Sequence, residues 1–309
     1  MNTHKDDRTK FVLIEAPSNL GLKALSDGVE PGVKLFASAM EKQGFDKMVG
    51  VSEKVSVTPP PYSTEVDEES KVRNADKIVD YSKRLADVLG THLGKRNTSI
   101  VIGGDCSVLI GAALSLKRNG NYGLFFLDGH TDFMWPDLSQ TAGAAGMDLA
   151  IVTGNGHHKL TNIENLKPYV EEKNVFCVGN REYTDWYVEA IEKSNITYYD
   201  LNSLRALGIP HIVEKFLQMI DLRNLDGFWI HFDVDVLNND IMPCVDSPQE
   251  DGLSYEELKI VLNPLIHSQL FRGIDITIFD PTLDEDGRYA KQFANEMAGM
   301  LQESVFKYV

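Results

Sequence analysis

Short apolar runs recur along the chain and alternate with longer segments whose apolar residues repeat at helical spacing. The short runs are rich in Val, Ile, Leu and Phe, which is typical of strands buried on both faces. They lie at residues 11–16, 98–102, 122–128, 174–178, 196–199, 226–233 and 271–279. The helical segments lie at residues 74–94, 106–118, 184–193, 210–220, 254–268 and 288–307. Strands that alternate with helices predict an α/β fold, in which a mostly parallel β-sheet is sandwiched by helices.

The whole chain is predicted to form one domain. Its 309 residues are 43% hydrophobic, which is enough for a large core. The Pro-rich residues 57–62 and the acidic residues 65–70 indicate a surface loop. We find no internal repeat, low-complexity tract or interdomain linker, so we assign residues 1–309 to a single domain.

Charge and composition limit the kinds of molecule that the protein is expected to bind. Lys and Arg number 30 against 46 Asp and Glu, which gives a formal net charge of −16. Such a chain repels phosphate backbones and anionic lipid headgroups, so neither nucleic acid nor a membrane is an expected partner. The amino terminus is polar, no long apolar run occurs, and the three cysteines are scattered. These features predict a cytoplasmic protein that acts on a small molecule.

Polar side chains gather where three of the predicted strands end. The segments are Gly-Gly-Asp-Cys-Ser at 103–107, Asp-Gly-His-Thr-Asp at 128–132 and His-Phe-Asp-Val-Asp at 231–235. Open α/β sheets build their sites at the carboxyl ends of strands, so we expect these side chains to lie close together. No Lys or Arg occurs in these segments to neutralise the carboxylates, which favours a pair of divalent metal ions.

The spacing within these segments supports the metal hypothesis. Residues two apart on an extended chain face the same side, which groups Asp128 with His130 and Asp132, and Asp233 with Asp235. Carboxylates with one imidazole suit Mn²⁺, and bridging carboxylates hold two ions about 3.5–4 Å apart. A single Asp at a strand end more often caps a helix or makes a turn. Two clusters of metal-type ligands are much harder to explain in that way.

The three segments resemble the arginase/agmatinase family, whose members are also called ureohydrolases. That family carries Gly-Gly-Asp-His-Ser, then Asp-Ala-His-x-Asp, then Ser-x-Asp-x-Asp, and each has a counterpart here in the same order. The other counterparts are Glu15-Ala-Pro-Ser, Gly28-Val-Glu-Pro-Gly32, Val178-Gly-Asn-Arg-Glu182, Gly252-Leu-Ser-Tyr-Glu256 and Gly273-Ile-Asp-Ile276. The resemblance therefore covers nearly the whole chain. It implies an arginase-like, three-layer α/β/α domain with a binuclear manganese site.

The resemblance also implies an activity and a set of ligands. In the family, metal-bound hydroxide attacks the carbon of a guanidinium or amidine group, usually giving urea and an amine. Members are commonly trimers or hexamers, so a homo-oligomer is expected. Asp132 is expected to take up or relay the proton of the nucleophile. The implied metal ligands are Cys106, Asp128, His130, Asp132, Asp233 and Asp235.

Cys106 departs from the family pattern, in which a histidine is usual at this position. A thiolate is softer than imidazole, so it would weaken the preference for Mn²⁺ and favour Zn²⁺, Fe²⁺, Co²⁺ or Ni²⁺. Alternatively, the thiol stays protonated and the second ion is held loosely, or Cys106 is only a small buried residue. The neighbouring Asp105 also has two interpretations, because it can cap the 106–118 helix or orient a ligand.

Two further departures concern the substrate and proton transfer. Ile278 stands where the family has a glutamate that pairs with the guanidinium, so ordinary arginine or agmatine is not the expected substrate. The segment 145–148 reads Ala-Gly-Met-Asp where the family has a histidine before Gly-Met-Pro. Proton transfer to the leaving amine then needs His157, His158, His231 or a water. We take His231, which replaces a family serine, as the catalytic candidate.

The loop that follows Asp132 predicts an altered substrate pocket. It reads Phe133-Met-Trp-Pro136, which is more apolar than the Asn-bearing loop that grips an amino acid carboxylate in the family. Phe133 and Trp135 are candidates to line a pocket for a less polar substrate or to form a lid, and core packing is the alternative. Candidate acids for gripping a cationic substrate are Glu182, Asp246, Glu250 and Asp251.

Three functions stay open at this point. The leading hypothesis is a ureohydrolase of the EC 3.5.3 type that cleaves a C–N bond in a linear amidine or guanidino-like compound. The first alternative is a catalytically degenerate relative that binds a ligand or serves as a structural subunit. The retained acidic clusters count against it, because burying such groups is costly. The second alternative is a metal-dependent amidohydrolase that releases ammonia.

Overall fold

The computed structural model describes residues 10–26, 28–93 and 97–306, with side chains up to residue 302. Eight strands form one sheet, and every pairing between neighbouring strands is parallel. The strands are β1 (Lys10–Glu15), β2 (Glu53–Ser56), β3 (Asn97–Ile102), β4 (Gly123–Leu127), β5 (Val175–Val178), β6 (Thr197–Tyr199), β7 (Phe228–Asp233) and β8 (Phe271–Thr277). Their order across the sheet is β2-β1-β3-β8-β7-β4-β5-β6. The predicted α/β class is confirmed.

Eleven α-helices surround this sheet within the described residues. They are α1 (Phe36–Lys42), α2 (Phe45–Val49), α3 (Ala75–Gly90), α4 (Val108–Asn119), α5 (Asp148–Val152), α6 (His158–Thr161), α7 (Asp185–Glu192), α8 (Leu201–Leu207), α9 (Ile209–Leu222), α10 (Tyr255–Ile266) and α11 (Arg288–Phe306). No helix in the described part of the chain is long and apolar enough to cross a membrane.

The seven predicted strands and the six predicted helices are found close to their expected positions. Strand β2 was missed, because it lies at the sheet edge and its residues are mostly exposed, so it lacks an apolar run. The missed helices α1, α2, α5, α6 and α8 have at most 7 residues each, too few to show a helical period. The single-domain assignment stays a prediction for the whole chain, since residues 1–9 lie outside the described part.

Alternate residues of the central strands pack into two hydrophobic clusters, one on each face of the sheet. On β4, Phe125 and Leu127 belong to the first cluster, and Leu124 and Phe126 belong to the second. The first cluster draws residues from α1, α2, α8, α9, α10 and α11, and the second from α3, α4, α5, α6 and α7. The result is a three-layer arrangement of helices, sheet and helices.

This topology brings the predicted polar segments to one edge of the sheet. The strands β3, β8, β7 and β4 are adjacent in that order, and all four run parallel. Segment 103–107 follows β3, segment 128–132 follows β4, and segment 231–235 spans the end of β7. The carboxyl ends of neighbouring parallel strands meet at the same edge, which is where α/β sheets bind ligands.

Candidate metal centre

The first group of ligand-type side chains lies around His130. One ligand atom each from Asp128, His130 and Asp235 falls within 4.8 Å of the others. His130 Nδ1 is 3.0 Å from Asp235 Oδ2 and 3.7 Å from Asp128 Oδ1. The Gly129 N–H donates to Asp235 Oδ1 at 3.0 Å, and the buried Arg181 donates to the backbone carbonyl of Asp235 at 2.6 Å. These bonds hold the segments after β4 and β5 against the segment after β7.

A second group lies deeper and shares Asp128 with the first. It consists of Asp128, Asp233 and Cys106, whose ligand atoms again lie within 4.8 Å of one another. The Cys106 thiol donates to Asp233 Oδ2 at 2.9 Å and lies 3.3 Å from the Thr277 hydroxyl. Asp233 Oδ1 accepts from the backbone N–H of Asp235 at 2.8 Å. The two groups joined through Asp128 form a site that two ions can share.

A third group contains a residue that the strand-end pattern did not indicate. Ligand atoms of Cys106, Asp148 and His231 lie within 4.8 Å of one another, and all three residues are buried. Asp148 begins α5, which packs on the same side of the sheet as His231. Sequence reasoning noticed residues 145–148 only as a departure from the family pattern. The available signal was that an acidic residue stands there in place of proline.

Asp132 completes the predicted ligand set but belongs to none of the three groups. It is nearly buried, has a backbone φ of +43°, and its carboxyl lies beside that of Asp128. Asp tolerates this left-handed conformation better than most residues, because its short polar side chain can bond locally. The predicted ligands are therefore brought together, with Asp132 beside the other five.

Burial dominates the electrostatics of this region. It raises the pKa of Asp132, Asp148 and Asp233 well above the usual carboxyl range, and neighbouring carboxylates raise these pKa values further. Burial and the Asp233 carboxylate also raise the pKa of the Cys106 thiol. Burial opposes ionisation of Asp235 too, but the adjacent His130 lowers the pKa of Asp235. Repulsion between these carboxylates is what a bound cation would relieve.

Several polar atoms here lack a hydrogen-bond partner among the described residues. They are Asp128 Oδ2, both carboxyl oxygens of Asp148 and His231 Nε2, and all are buried. Buried polar groups are normally satisfied, and an unexplained exception points to an ion or a water. Carboxylate oxygens, imidazole nitrogen and a thiol are ligand atoms for divalent transition metals. The residues present therefore fit the binuclear metal centre that the sequence implied.

The Asp105 side chain stabilises the loop after β3 and belongs to none of the candidate ligand groups. Its Oδ1 accepts from the Ser107 N–H at 2.9 Å, and its Oδ2 accepts from the Ser18 hydroxyl at 2.8 Å. The residue is completely buried. Of the two interpretations of Asp105, these bonds support the local one, in which its side chain fixes the turn between β3 and α4.

The candidate pocket residues fall into different surroundings. Phe133 is 3% exposed and belongs to the second hydrophobic cluster, so it contributes to the core. Trp135 packs edge-on against Phe133 and lines a cavity of about 430 Å³ that also contains His157. Ile278 is 4% exposed and lies at the end of β8, between the ends of β3 and β7.

The candidate acids divide into two pairs. Desolvation and the Asp235 carboxylate raise the pKa of Asp246. Hydrogen bonds from Thr184 lower the pKa of Glu182, and the charge of His130 lowers it further. Both therefore lie within electrostatic reach of the metal centre. Asp251, by contrast, pairs with Arg205 at 2.9 Å on the surface, and Glu250 is exposed.

The histidines at 157 and 158 lie apart from the ligand groups. Their Nε2 atoms are each 3.8 Å from Glu69, and the side chain of His158 is 72% exposed. His231 is instead fully buried among the ligands.

The chain is similar to known proteins over nearly its whole length. The sequence model of the arginase family matches residues 10–302. Arginase from Staphylococcus aureus strain COL is 27% identical over 292 residues, which cover 92% of this chain and 95% of the relative. Arginase from Brevibacillus brevis is 26% identical over 298 residues, which cover 95% and 96%.

Solved structures show the same fold. The native structure of arginase from Bacillus caldovelox superposes with a TM-score of 0.84 at 23% identity, covering 97% of this chain and 99% of that one. Formimidoylglutamase from Bacillus subtilis superposes with a TM-score of 0.70 at 17% identity, covering 97% and 88%. Sequence identities this low show that the fold is shared, but they do not identify the substrate.

Proposed function

The chain belongs to the arginase family, and we propose that it hydrolyses a C–N bond in a linear amidine or guanidino compound other than ordinary L-arginine. The observation that carries this proposal is the pair of ligand groups joined through Asp128, next to a buried Ile278. The ligand groups support metal-dependent hydrolysis. The apolar residue supports a substrate that needs no carboxylate at this position.

We assign roles to the ligand groups on the same basis. Cys106, Asp128, Asp233 and Asp235, with His130 and Asp132, would hold two divalent ions, for which Mn²⁺ is the family expectation. When bound, such ions make water nucleophilic at neutral pH and stabilise negative charge that develops on the substrate. Asp132 lies beside Asp128, and once bound cations favour its ionised form its carboxylate would accept a proton released at the centre.

Substrate contacts are proposed for residues near the less buried side of the centre. The His130 side chain is 20% exposed, whereas Asp128 and His231 are completely buried. A substrate would therefore approach from the His130 side. Asp246 and Glu182 are the acids whose pKa values reflect this neighbourhood, so they are the candidates to contact a cationic group. Trp135 would cover the substrate from the neighbouring loop.

The assembly and location are also proposals. A homo-oligomer follows from the family resemblance, and a cytoplasmic location follows from the composition. Sedimentation velocity on the purified protein would measure the first directly.

The test is a product assay on protein loaded with Mn²⁺, Zn²⁺, Co²⁺ or Ni²⁺. A panel of guanidino, N-substituted guanidino and amidine compounds is incubated with the protein, and urea, substituted urea and ammonia are quantified separately. We expect urea or a substituted urea from at least one compound and little turnover of L-arginine. Ammonia with an acid would instead support the amidohydrolase alternative.

Asp128→Asn is the matched variant for this assay, because it keeps the shape of a bridging side chain and removes its charge. We expect it to abolish both metal retention and turnover. Retained activity in Asp128→Asn would contradict the two-ion proposal. Metal binding by the unmodified protein without turnover of any compound would favour the ligand-binding alternative.

A further inference from the structure

Three departures from the family pattern meet at one place in the fold. Cys106 replaces a histidine, Asp148 replaces a proline, and His231 replaces a serine. They come from the end of β3, the start of α5 and the middle of β7, so they are distant in sequence. Their ligand atoms nevertheless lie within 4.8 Å of one another. The loss of one ligand is thus accompanied by the gain of two others beside it.

The distances match a metal site better than a hydrogen-bond network. His231 Nε2 is 3.8 Å from Asp148 Oδ2 and 3.9 Å from Asp128 Oδ2. Both separations exceed hydrogen-bond length. In a tetrahedral zinc site, with bonds of about 2.0–2.3 Å, neighbouring ligand atoms lie roughly 3.4–3.6 Å apart. A contraction of about half an ångström would therefore bring His231 Nε2 and the Asp148 and Asp128 oxygens to the spacing of ligands around one ion.

The imidazole of His231 is held in the orientation of a ligand. Its Nδ1 contacts the buried carboxylate of Asp275, which also accepts a hydrogen bond from the Trp229 indole. The ring stacks on Phe126, with centroids 4.6 Å apart. Metal-ligating histidines commonly donate their other ring nitrogen to a carboxylate in this way, which fixes the tautomer. The free Nε2 then points at Asp148 and Asp128.

Asp148 begins α5, but its carboxyl group is not satisfied by the described residues. Both of its carboxyl oxygens are buried and lack a hydrogen-bond partner there. Burying an unsatisfied carboxyl group is costly, and a simple core position would favour an apolar side chain. A cation bound between Asp148 and His231 accounts for the presence of both.

We infer that Cys106, Asp148 and His231 form a thiol-containing cation site that takes Zn²⁺, Fe²⁺, Co²⁺ or Ni²⁺ in preference to Mn²⁺. Asp128 faces the same ion and links this site to the Asp128, His130 and Asp235 group. Sulfur and imidazole ligands select borderline-soft ions over Mn²⁺, which prefers oxygen. Binding releases the thiol proton to solvent. The inference deepens the proposed function and rests on it, because it adds Asp148 and His231 as ligands of the ion that Cys106 and Asp128 are proposed there to hold.

The experiment is a Co²⁺ titration of the metal-free, full-length protein, monitored by absorption spectroscopy. A thiolate ligand produces a sulfur-to-cobalt charge-transfer band in the near ultraviolet, which oxygen and nitrogen ligands do not. We expect one thiolate-bound Co²⁺ per chain. Cys106→Ser should remove the band, whereas Cys177→Ser, which alters another buried cysteine, should leave it unchanged.

Asp148→Asn and His231→Gln test the two new ligands. Each should weaken binding of the thiolate-bound Co²⁺ by at least about 10-fold and shift its visible spectrum. Circular dichroism confirms that each variant is folded. Wild-type affinity and an unchanged spectrum in both folded variants would overturn the inference.

A second measurement needs no variant. A crystal structure of the Zn²⁺-loaded protein, with an anomalous difference map at the zinc edge, should show a peak within bonding distance of Cys106 Sγ, Asp148 and His231 Nε2. The absence of a peak at this position, or water in its place, would also overturn the inference, whereas a further peak beside Asp128, His130 and Asp235 is the second ion of the proposed function. The two proposals fail separately, because metal location and the charge-transfer band are measured without substrate. Turnover without a thiolate band would refute the inference and the ligand role of Cys106, but it would leave the proposed hydrolysis standing.

Discussion

At the scale of single residues, Ile278 has a backbone conformation that is unusual for its residue type, and its side chain replaces the glutamate of the family. Its φ is +76°, a region that β-branched residues rarely adopt, and its N–H donates to the Gly104 carbonyl at 2.7 Å. This bond ties the end of β8 to the loop after β3. Strained backbone of this kind clusters at functional sites, where the surroundings impose it. Ile278 thus occupies a position of constrained geometry, and its side chain is the one that we propose to govern substrate choice.

The Ile278→Glu substitution should supply a carboxylate that pairs with the guanidinium group of a substrate. Because a hydrogen bond to a charged group contributes about 1.5–3 kcal/mol, we expect kcat/KM for arginine or agmatine to rise about 10- to 100-fold. The variant should also be less stable, since a carboxylate replaces a buried apolar group. Steady-state urea release checks the first effect and thermal unfolding checks the second.

Ile278→Gln is the control for this substitution, because it has nearly the shape of glutamate but no charge. It should not gain activity towards guanidinium substrates. Equal rates for the Glu and Gln variants would show that charge at position 278 does not govern recognition.

At the scale of elements, α10 is tied to α8 through one glutamate. The Ser254 hydroxyl accepts from the Glu257 N–H, and Glu257 accepts from the Ser254 N–H, which forms a capping box. Glu257 also receives two hydrogen bonds from Arg205 of α8, at 2.7 and 3.0 Å. The Arg205 bonds are the largest cause of the lowered pKa of Glu257.

Glu257→Gln should reduce stability in a pH-dependent way. A carboxyl whose pKa is lowered by folding adds stability above its unfolded pKa of about 4.3, and this is lost as pH falls through the folded value. The group is partly exposed, so we expect a loss of at most about 1 kcal/mol at pH 7. The loss should shrink below pH 4.3.

Urea unfolding at several pH values measures this effect. Glu256→Gln provides the matched control, because Glu256 is the preceding residue, is 83% exposed and has only Lys259 as an ion-pair partner in the described structure. A loss for Glu257→Gln that is the same at all pH values would show that charge pairing with Arg205 is not its cause.

At the scale of the whole molecule, the candidate metal centre brings mutually repelling carboxylates together at the carboxyl ends of the central strands. Asp128, Asp148, Asp233 and Asp235 are at most 4% exposed, and burial raises the pKa of the first three. They come from β4, α5 and β7 and the turns beside them. A cation that binds them favours the folded arrangement of all these elements.

Metal removal should therefore lower the thermal stability of the entire protein. Binding at 100 times the dissociation constant stabilises a protein by about 2.7 kcal/mol, so we expect the midpoint of unfolding to rise by several degrees on adding Zn²⁺ or Co²⁺ to chelated protein. Differential scanning calorimetry measures the shift. The Asp128→Asn variant should show little metal-induced rise in its unfolding midpoint. A rise equal to that of the unmodified protein would show that the stabilising ion binds at another position.

The sequence alone determined the fold class and indicated most of the candidate ligands. Apolar runs mark buried strands because a parallel sheet covered on both faces excludes polar residues from its strands. The polar residues that follow β3 and β4 and end β7 could then be assigned to one edge, since parallel strands deliver their carboxyl ends together. Asp128, His130 and Asp235, which form one ligand group in the structure, are identifiable in this way from local sequence.

Only the tertiary structure decided which other side chains reach that edge. Asp148 lies at the start of a five-residue helix, and its approach to His231 depends on how α5 packs against α4 on this face of the sheet. Asp275 meets His231 because β8 inserts between β3 and β7, an order that no local pattern encodes. Contacts between residues distant in sequence depend on strand order and helix packing, whereas periodicity reports only local burial.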